Sequence, residues 1–505
     1  MMNVLFFPAN KLGASIAPIY NGHTAIVCQN TDRLKDGKYA LAELNLFKHN
    51  IQGTSFLNPF PGSENANYAK TIEDVRNSGR ISFGLYQRSD YWINPTTNAQ
   101  EQIPDYYLNV WTAAGAAAFQ NAVIGEAKAE RSPNHGQQFF NISNGDYGFD
   151  VATNSFGLSN GYELYEHIDR QLSYFKNLAN LTISTGSYTN GQTTGSVLLP
   201  PKMLGLRTSS YSVNGTGNIK YNGLTRQDMV LSASTTRTWD AVLAGQFPDQ
   251  AASLLYTKSE IARAIAAAGC FSDFMHWHSL YEKSPNDVAF FDPFYQAMNE
   301  AIGASDVWRA GNNEVFEYYA IKQSINKIGS FISNGKAFVA LRLSDAFAGT
   351  ETNAISNALP LHLLETPISI QLNLSGTVLA GKNLKSAQAS TLRNLGSNVW
   401  IANVAPINSY KNGYMIFEIE EAATNDQVYD AATPTLNRSG NTVTSNKKSK
   451  FVVWRKALAA ADTSIEAVHR TTEFSASLNY TFDKATYAYY IGGITRSRMS
   501  SLITL

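Results

Sequence analysis

The chain has 505 residues, and 40 lysines and arginines balance 40 aspartates and glutamates, so its formal net charge is zero. Charged residues make up only 16% of it, against about 25% in an ordinary soluble domain. That excludes a polyanion binder, which needs a clustered positive field. A disordered chain is excluded as well, because 44% hydrophobic residues can bury enough surface to offset chain entropy.

The length implies more than one domain. No run of 18 apolar residues exists, so no membrane span is expected. The apolar patch Val4-Leu5-Phe6-Phe7 lacks a basic flank ahead of it, and no secretory signal is expected there. Cys28 and Cys270 are too few for a disulfide framework or a zinc knuckle and are expected as two buried thiols.

Residues 1–19 form an N-terminal segment, and a first unit is expected over 20–335. Within it, residues 23–29 and 51–57 are β-branched runs that flank a helix at 39–48, and 81–86 is a third strand. An Ala-rich helix is predicted over 106–127. Leu164, Tyr165, Ile168, Leu172 and Phe175 share one helical face over 162–176, and a strand at 181–185 follows. Thr257 and Glu260 make a capping-box pattern ahead of Ile261 and Ala264, with Gly269 as the stop. A strand at 270–277 and helices at 291–302 and 315–328 close the unit. Such alternation favours a parallel sheet or barrel.

Beyond Asn334-Gly335 the period changes to two. Val339, Leu341 and Leu343, then Ile368, Ile370, Leu372 and Leu374, then Met415, Phe417 and Ile419 alternate with polar neighbours. A β-sandwich module is expected over 336–422. Residues 423–450 read as a linker or exposed loop. The tail, 451–505, with a short helix over 453–461, is expected to pack on the sandwich or on another subunit.

Three clusters could carry chemistry. His276 and His278 flank Trp277 at the end of the 270–277 strand, where two imidazoles on one face bind metal, shuttle protons, or simply hydrogen-bond beside a packed ring. Tyr188 and Asn190 stand in a turn after the 181–185 strand, where a backbone amide can hold an oxyanion or the Asn-Gly pair merely makes the turn. Asp32 ends the first strand, as a base, a metal ligand or a turn former.

In this order the clusters resemble polysaccharide deacetylases of the NodB-homology type. The phrase TAIVCQNTDRLKDGKYALAELNLFKHNIQGTSFLNP (24–59) is similar to the family's opening, STGSYTNG (184–191) to its Tyr-containing turn, and GLRTSS (205–210) to its Gly-x-Arg element. FSDFMHWHSLYE (271–282), followed by DVWRAGNNEVFEYYAIKQS (306–324), resembles the closing His motif and last helices. The segment 336–422 resembles the accessory domain that follows. The resemblance implies an α/β fold, a distorted (β/α) barrel followed by a β-sandwich, and hydrolysis of acetyl groups from glycans with a divalent, zinc-like metal.

Carried over by position, Asp32, Tyr188, His276 and His278 are the catalytic candidates. Arg207, Trp277 and Asn190 are the substrate-binding ones, and Asp32 and His276 the metal ligands. The departures are specific. Thr31 stands in the position of the catalytic base, and threonine is no base at neutral pH. Around 81–90 the sequence ISFGLYQRSD lacks the expected His-x-x-x-His.

The expectation is therefore a deacetylase-like protein that binds glycan or builds a larger particle such as a phage virion or tail appendage. It would have lost or altered its metal site, and its partners would be a bacterial surface polysaccharide and other subunits. Its location would be the virion or an extracellular surface. The alternatives are an active metal-dependent deacetylase using Asp32, Asp90, His276 and His278, and a purely architectural assembly protein.

Overall fold

The computed structural model describes residues 12–32, 39–57, 72–73, 75–76, 79–87, 91–93, 100–102, 148–150, 155–157, 172, 175–188, 203–207, 218–221, 229–232, 234–236, 247–275, 291–343, 359–411, 413–424, 428–461, 464–495 and 497–505. The predicted helices over 106–127 and most of 162–176 lie outside these residues.

The first region is built on β2 (Ala25–Asp32), β3 (Gly53–Leu57), β4 (Ile81–Gln87), β5 (Thr185–Tyr188), β6 (Gly205–Arg207), β7 (Asn218–Tyr221), β8 (Met229–Ser232), β9 (Ser234–Thr236), β10 (Cys270–Met275) and β11 (Val307–Arg309). They join in the order β7-β8-β6-β5-β4-β3-β2-β10-β9, with β11 also paired to β2. Every pairing is parallel except β7 with β8. The sheet is curled like half a barrel, and among the described residues its end strands β7 and β9 do not pair.

Strand alternation sends Ala25 and Val27 to one face and Ile26 and Cys28 to the other. The first face is covered by helices α1 (Tyr39–Lys48), α2 (Gln250–Ala266) and α3 (Phe291–Ile302). Helix α4 (Asn312–Ser324) lies against the second, concave face. Helix α2 starts earlier than the Thr257–Glu260 pattern predicts. Asp249 caps it by accepting from the Ala252 amide at 2.8 Å, while Thr257 sits inside and donates back to the Ser253 carbonyl at 3.0 Å.

The strand-rich second region has two antiparallel sheets. Strand β1 (Gly13–Ile16) joins β14 (Ile368–Asn373), β16 (Val399–Val404) and β15 (Ala389–Gly396) in one. Strands β12 (Ile325–Ser333), β13 (Lys336–Leu343) and β17 (Tyr414–Glu421) form most of the other. The period-two positions behave as expected, with Val339, Leu341, Ile368, Ile370, Met415 and Ile419 all buried. The partition differs at two places. Asn334-Gly335 is the turn of the β12–β13 hairpin, both residues at positive φ, and the N-terminal segment supplies an edge strand. Helix α4 accordingly stops at Ser324, where β12 begins.

The C-terminal stretch is a third sheet, made of β18 (Leu436–Ser439), β19 (Thr442–Ala457), β20 (Glu466–Arg470), β21 (Ser475–Asn479), β22 (Tyr487–Thr495) and β23 (Ser500–Thr504). The expected linker over 423–450 and helix over 453–461 are thus corrected, because β19 runs through both. The reason is alternation: Val452 and Trp454 join the core of the first region, while Phe451 and Val453 make a separate small core with Tyr489 and Ile491. A helix would scatter those four around its axis.

Among the described residues the third sheet docks on α1. Helix α1 is buried from Tyr39 to Phe47, Glu43 and Asn45 included. The Phe47 and Trp454 rings meet edge to face at 5.1 Å. Gly492 leaves room for both, since a Cβ there would stand 2.6 Å from Phe47 and 2.8 Å from Trp454.

Candidate functional site

All the parallel strands that the sequence singles out end on one edge. Asp32 is the last residue of β2 and Tyr188 the last of β5. Met275 ends β10 beside Thr31 and leads in sequence into His276. The row through Asp32 runs to Phe56 and Gly84, and Leu85 pairs with Gly186, so Tyr188 stands several residues further along than Asp32. With strands about 4.8 Å apart and about 3.3 Å per residue, a flat sheet would separate the two positions by roughly 17 Å. Stagger of this kind accompanies curling. His276, Trp277, His278, Asn190 and Asp90 lie outside the described residues, as do the side chains of Asp32 and Tyr188.

Beneath that edge lies a packed floor. Phe56 lies across Gly84, where a Cβ would come within 2.5 Å of its ring and 3.2 Å of the Thr185 carbonyl. The Arg207 guanidinium stacks on Phe56 at 4.8 Å from the ring centre and donates to the Ser187 hydroxyl at 2.5 Å. Asn30 donates to the Ser272 hydroxyl at 2.7 Å. Arg207 is buried and braces β6 to β5 and β3 beneath the edge. Gly84→Ala is expected to displace Phe56 and cost about 1–3 kcal/mol by overpacking, read as a lower urea midpoint with an unchanged slope.

Thr31 is fully buried, so the position that the resemblance gives to the base holds neither a carboxylate nor an open side chain. At the end of β4 the chain carries Tyr86 and Gln87 where imidazoles are expected. A divalent metal of the kind implied needs carboxylate and imidazole donors together. Among the described residues no group of three or more His, Cys, Asp or Glu could hold an ion.

Deeper on the concave face, α4 is tied to the sheet by polar contacts. Its N-cap Gly311 packs against the Ser82 hydroxyl, and the Asn312 amide donates to Thr54 Oγ1 at 2.8 Å. Asn313 accepts from Thr185 Oγ1 at 2.5 Å and donates to the Phe83 carbonyl. One turn on, Glu317 Oε1 accepts from Ser184 Oγ at 2.5 Å and Oε2 from Thr366 Oγ1 at 3.3 Å. His362 Nε2 lies 2.9 Å from the same serine hydroxyl and 3.9 Å from Glu317 Oε1. This is not a nucleophile site. Ser184 is fully buried, and the carboxylate holds the hydroxyl instead of orienting the imidazole. Burial pushes the Glu317 carboxyl up to about 7, with the Glu314 charge adding to the rise and the Ser184 hydrogen bond opposing it.

Glu317 and His362 face a cavity of about 970 Å³ at the amino edge of the sheet, the end opposite Asp32 and Tyr188. In barrel folds the carboxyl edge carries chemistry and the amino edge stability, so this cavity lies at the end opposite the one where the resemblance places the site. The sequence analysis did not single out Ser184, Glu317 or His362. The one available signal was that Asn313 and Glu317 stand four apart, on one face of the helix.

No protein-family profile matches the sequence, and no curated protein matches it. Among solved structures the chain is similar to a protein assigned as a polysaccharide deacetylase from Mycobacterium smegmatis, with a TM-score of 0.29, 10% identity, and coverage of 62% of this chain and 93% of that one. It is also similar to Agd3, a carbohydrate deacetylase, with a TM-score of 0.32, 9% identity, and coverage of 80% and 67%. A protein assigned as a fructose-1,6-bisphosphate aldolase from Coccidioides immitis is a third, with a TM-score of 0.20, 10% identity, and coverage of 55% and 89%. All three TM-scores are too low to carry an argument about the site.

Proposed function

We propose that this protein recognises a polysaccharide at the carboxyl edge of its half-barrel sheet and does not hydrolyse acetyl groups there. The observation that carries this is the fully buried Thr31, next to Asp32, at the position where the resembled family keeps its base. With Tyr86 and Gln87 at the end of β4, the edge keeps a deacetylase's strand order without its proton acceptor or its imidazole pair. Aromatic and amide groups near such an edge suit sugar rings and hydroxyls. The polysaccharide on this reading is a bacterial surface glycan. The protein works among other subunits of an extracellular or virion assembly, in keeping with its neutral, charge-poor composition.

The test is binding of the full chain to an array of acetylated surface glycans, repeated with Asp32→Ala and Tyr188→Ala. Retention of a glycan by the unmodified chain, weakened about tenfold or more in either variant, is the expected result. Undiminished retention in both variants would place recognition elsewhere.

A further inference from the structure

The amino-edge cavity contains a charge that the fold leaves unanswered. Arg393 is paired with Asp306 at 2.7 Å and donates to the Asn21 carbonyl at 2.8 Å. Asp306 also binds His23 Nδ1 at 2.6 Å. Arg498 is paired with Glu314. Arg309 differs. Its Nη1 donates to the backbone carbonyls of His49, at 3.4 Å, and Asn50, at 2.8 Å, and no carboxylate among the described residues pairs with it. Burial depresses its pKa to about 10, so it stays protonated at neutral pH. A partly buried guanidinium without a counter-charge among the described residues is costly, and its Nε and Nη2 can take an anion in the planar, two-point manner of arginine.

The remaining walls select among anions. Asp306, Glu314, Glu317 and Glu365 line the same cavity, the first two already paired with Arg393 and Arg498, so most of its positive charge other than that of Arg309 is answered and a single negative charge suffices. A ligand with one negative charge and many hydroxyls would use those carboxylates as acceptors. Tyr429, beside the Arg393 guanidinium at 5.2 Å, adds an aromatic wall, and the volume of about 970 Å³ is ample for an oligosaccharide. We infer that this cavity is a binding site for an acidic saccharide of the uronic type, its carboxylate held by Arg309. The site lies at the amino edge and is independent of the carboxyl-edge proposal.

The experiment is calorimetric titration of the full chain with trigalacturonate, maltotriose and inorganic phosphate. Trigalacturonate is expected to bind and maltotriose to bind at least about tenfold more weakly, the difference one charge-assisted hydrogen-bond pair makes. Arg309→Gln, which keeps donors for the two carbonyls, is expected to remove the preference for the acidic sugar. Arg309→Lys, which keeps the charge and loses the fork, is expected to retain part of it. If Arg309→Gln does not fold, the lysine variant and the three-ligand comparison still decide. Equal binding of maltotriose, binding of phosphate in preference to trigalacturonate, or an unchanged preference in Arg309→Gln would each overturn the inference.

Discussion

Replacing Glu43 by alanine is expected to destabilise the protein by about 3–5 kcal/mol, the cost of leaving one half of a buried ion pair behind. Glu43 sits in α1 with no solvent exposure, and Arg470 of β20 grips both its oxygens at 2.6 and 2.7 Å. The Trp454 indole donates to the same carboxylate at 3.2 Å. Three donor groups from the C-terminal sheet therefore lose their acceptor in one substitution. Because the Phe47–Trp454 contact and Gly492 share this seam, the loss should appear as early release of the third sheet, measurable as hydrogen exchange in β19 and β22 ahead of global unfolding. Replacing both partners, Glu43→Leu with Arg470→Met, should recover much of the loss, because matched apolar groups carry no desolvation cost. A Glu43→Ala protein as stable as the unmodified one would show that the seam contributes nothing.

The second large effect is one of pH. The Glu317 carboxyl is held at about 7 in the folded protein, chiefly by burial, against about 4.3 for an unperturbed glutamate. Between those values the folded state keeps a proton that the unfolded state has released. Stability from this group therefore falls as pH rises from about 4.5 to about 7 and levels off above. The fall amounts to at most about 4 kcal/mol. Glu317→Gln keeps an acceptor for Ser184 and removes the titration. The variant is expected to match the unmodified protein at pH 5 and exceed it at pH 8, in urea unfolding at the two pH values. Parallel stability curves for the two proteins would contradict the assignment of Glu317 as the titrating group.

The parts of the fold written in local periodicity were legible from sequence. The helices at 39–48 and 291–302 match α1 and α3 residue for residue. The period-two positions of β13, β14 and β17 are buried as predicted. The strand at 181–185 was placed too early, since its apolar run is the lead-in to β5. The misjudged C-terminal tail had the right signal, alternating Phe451-Val452-Val453-Trp454, but its two faces serve two different cores, so it looked apolar throughout.

The same distinction governs the sites. Asp32 and Tyr188 end strands, and strand ends of a parallel sheet share an edge, so their common placement followed from order alone. The Ser184–Glu317 and Ser184–His362 contacts span 133 and 178 residues and leave no local trace. The uncompensated charge of Arg309 was hidden for the same reason, because it is defined by which partners the fold keeps away from it.

Recognition without deacetylation is tested most directly by acetate release. The purified chain, supplied with zinc and incubated with a glycan that it retains on the array, should release no acetate above the rate of the glycan alone, while glycan and protein remain associated. Acetate released in amounts that exceed the protein, and abolished in Asp32→Ala, would contradict it and establish an active deacetylase at the carboxyl edge.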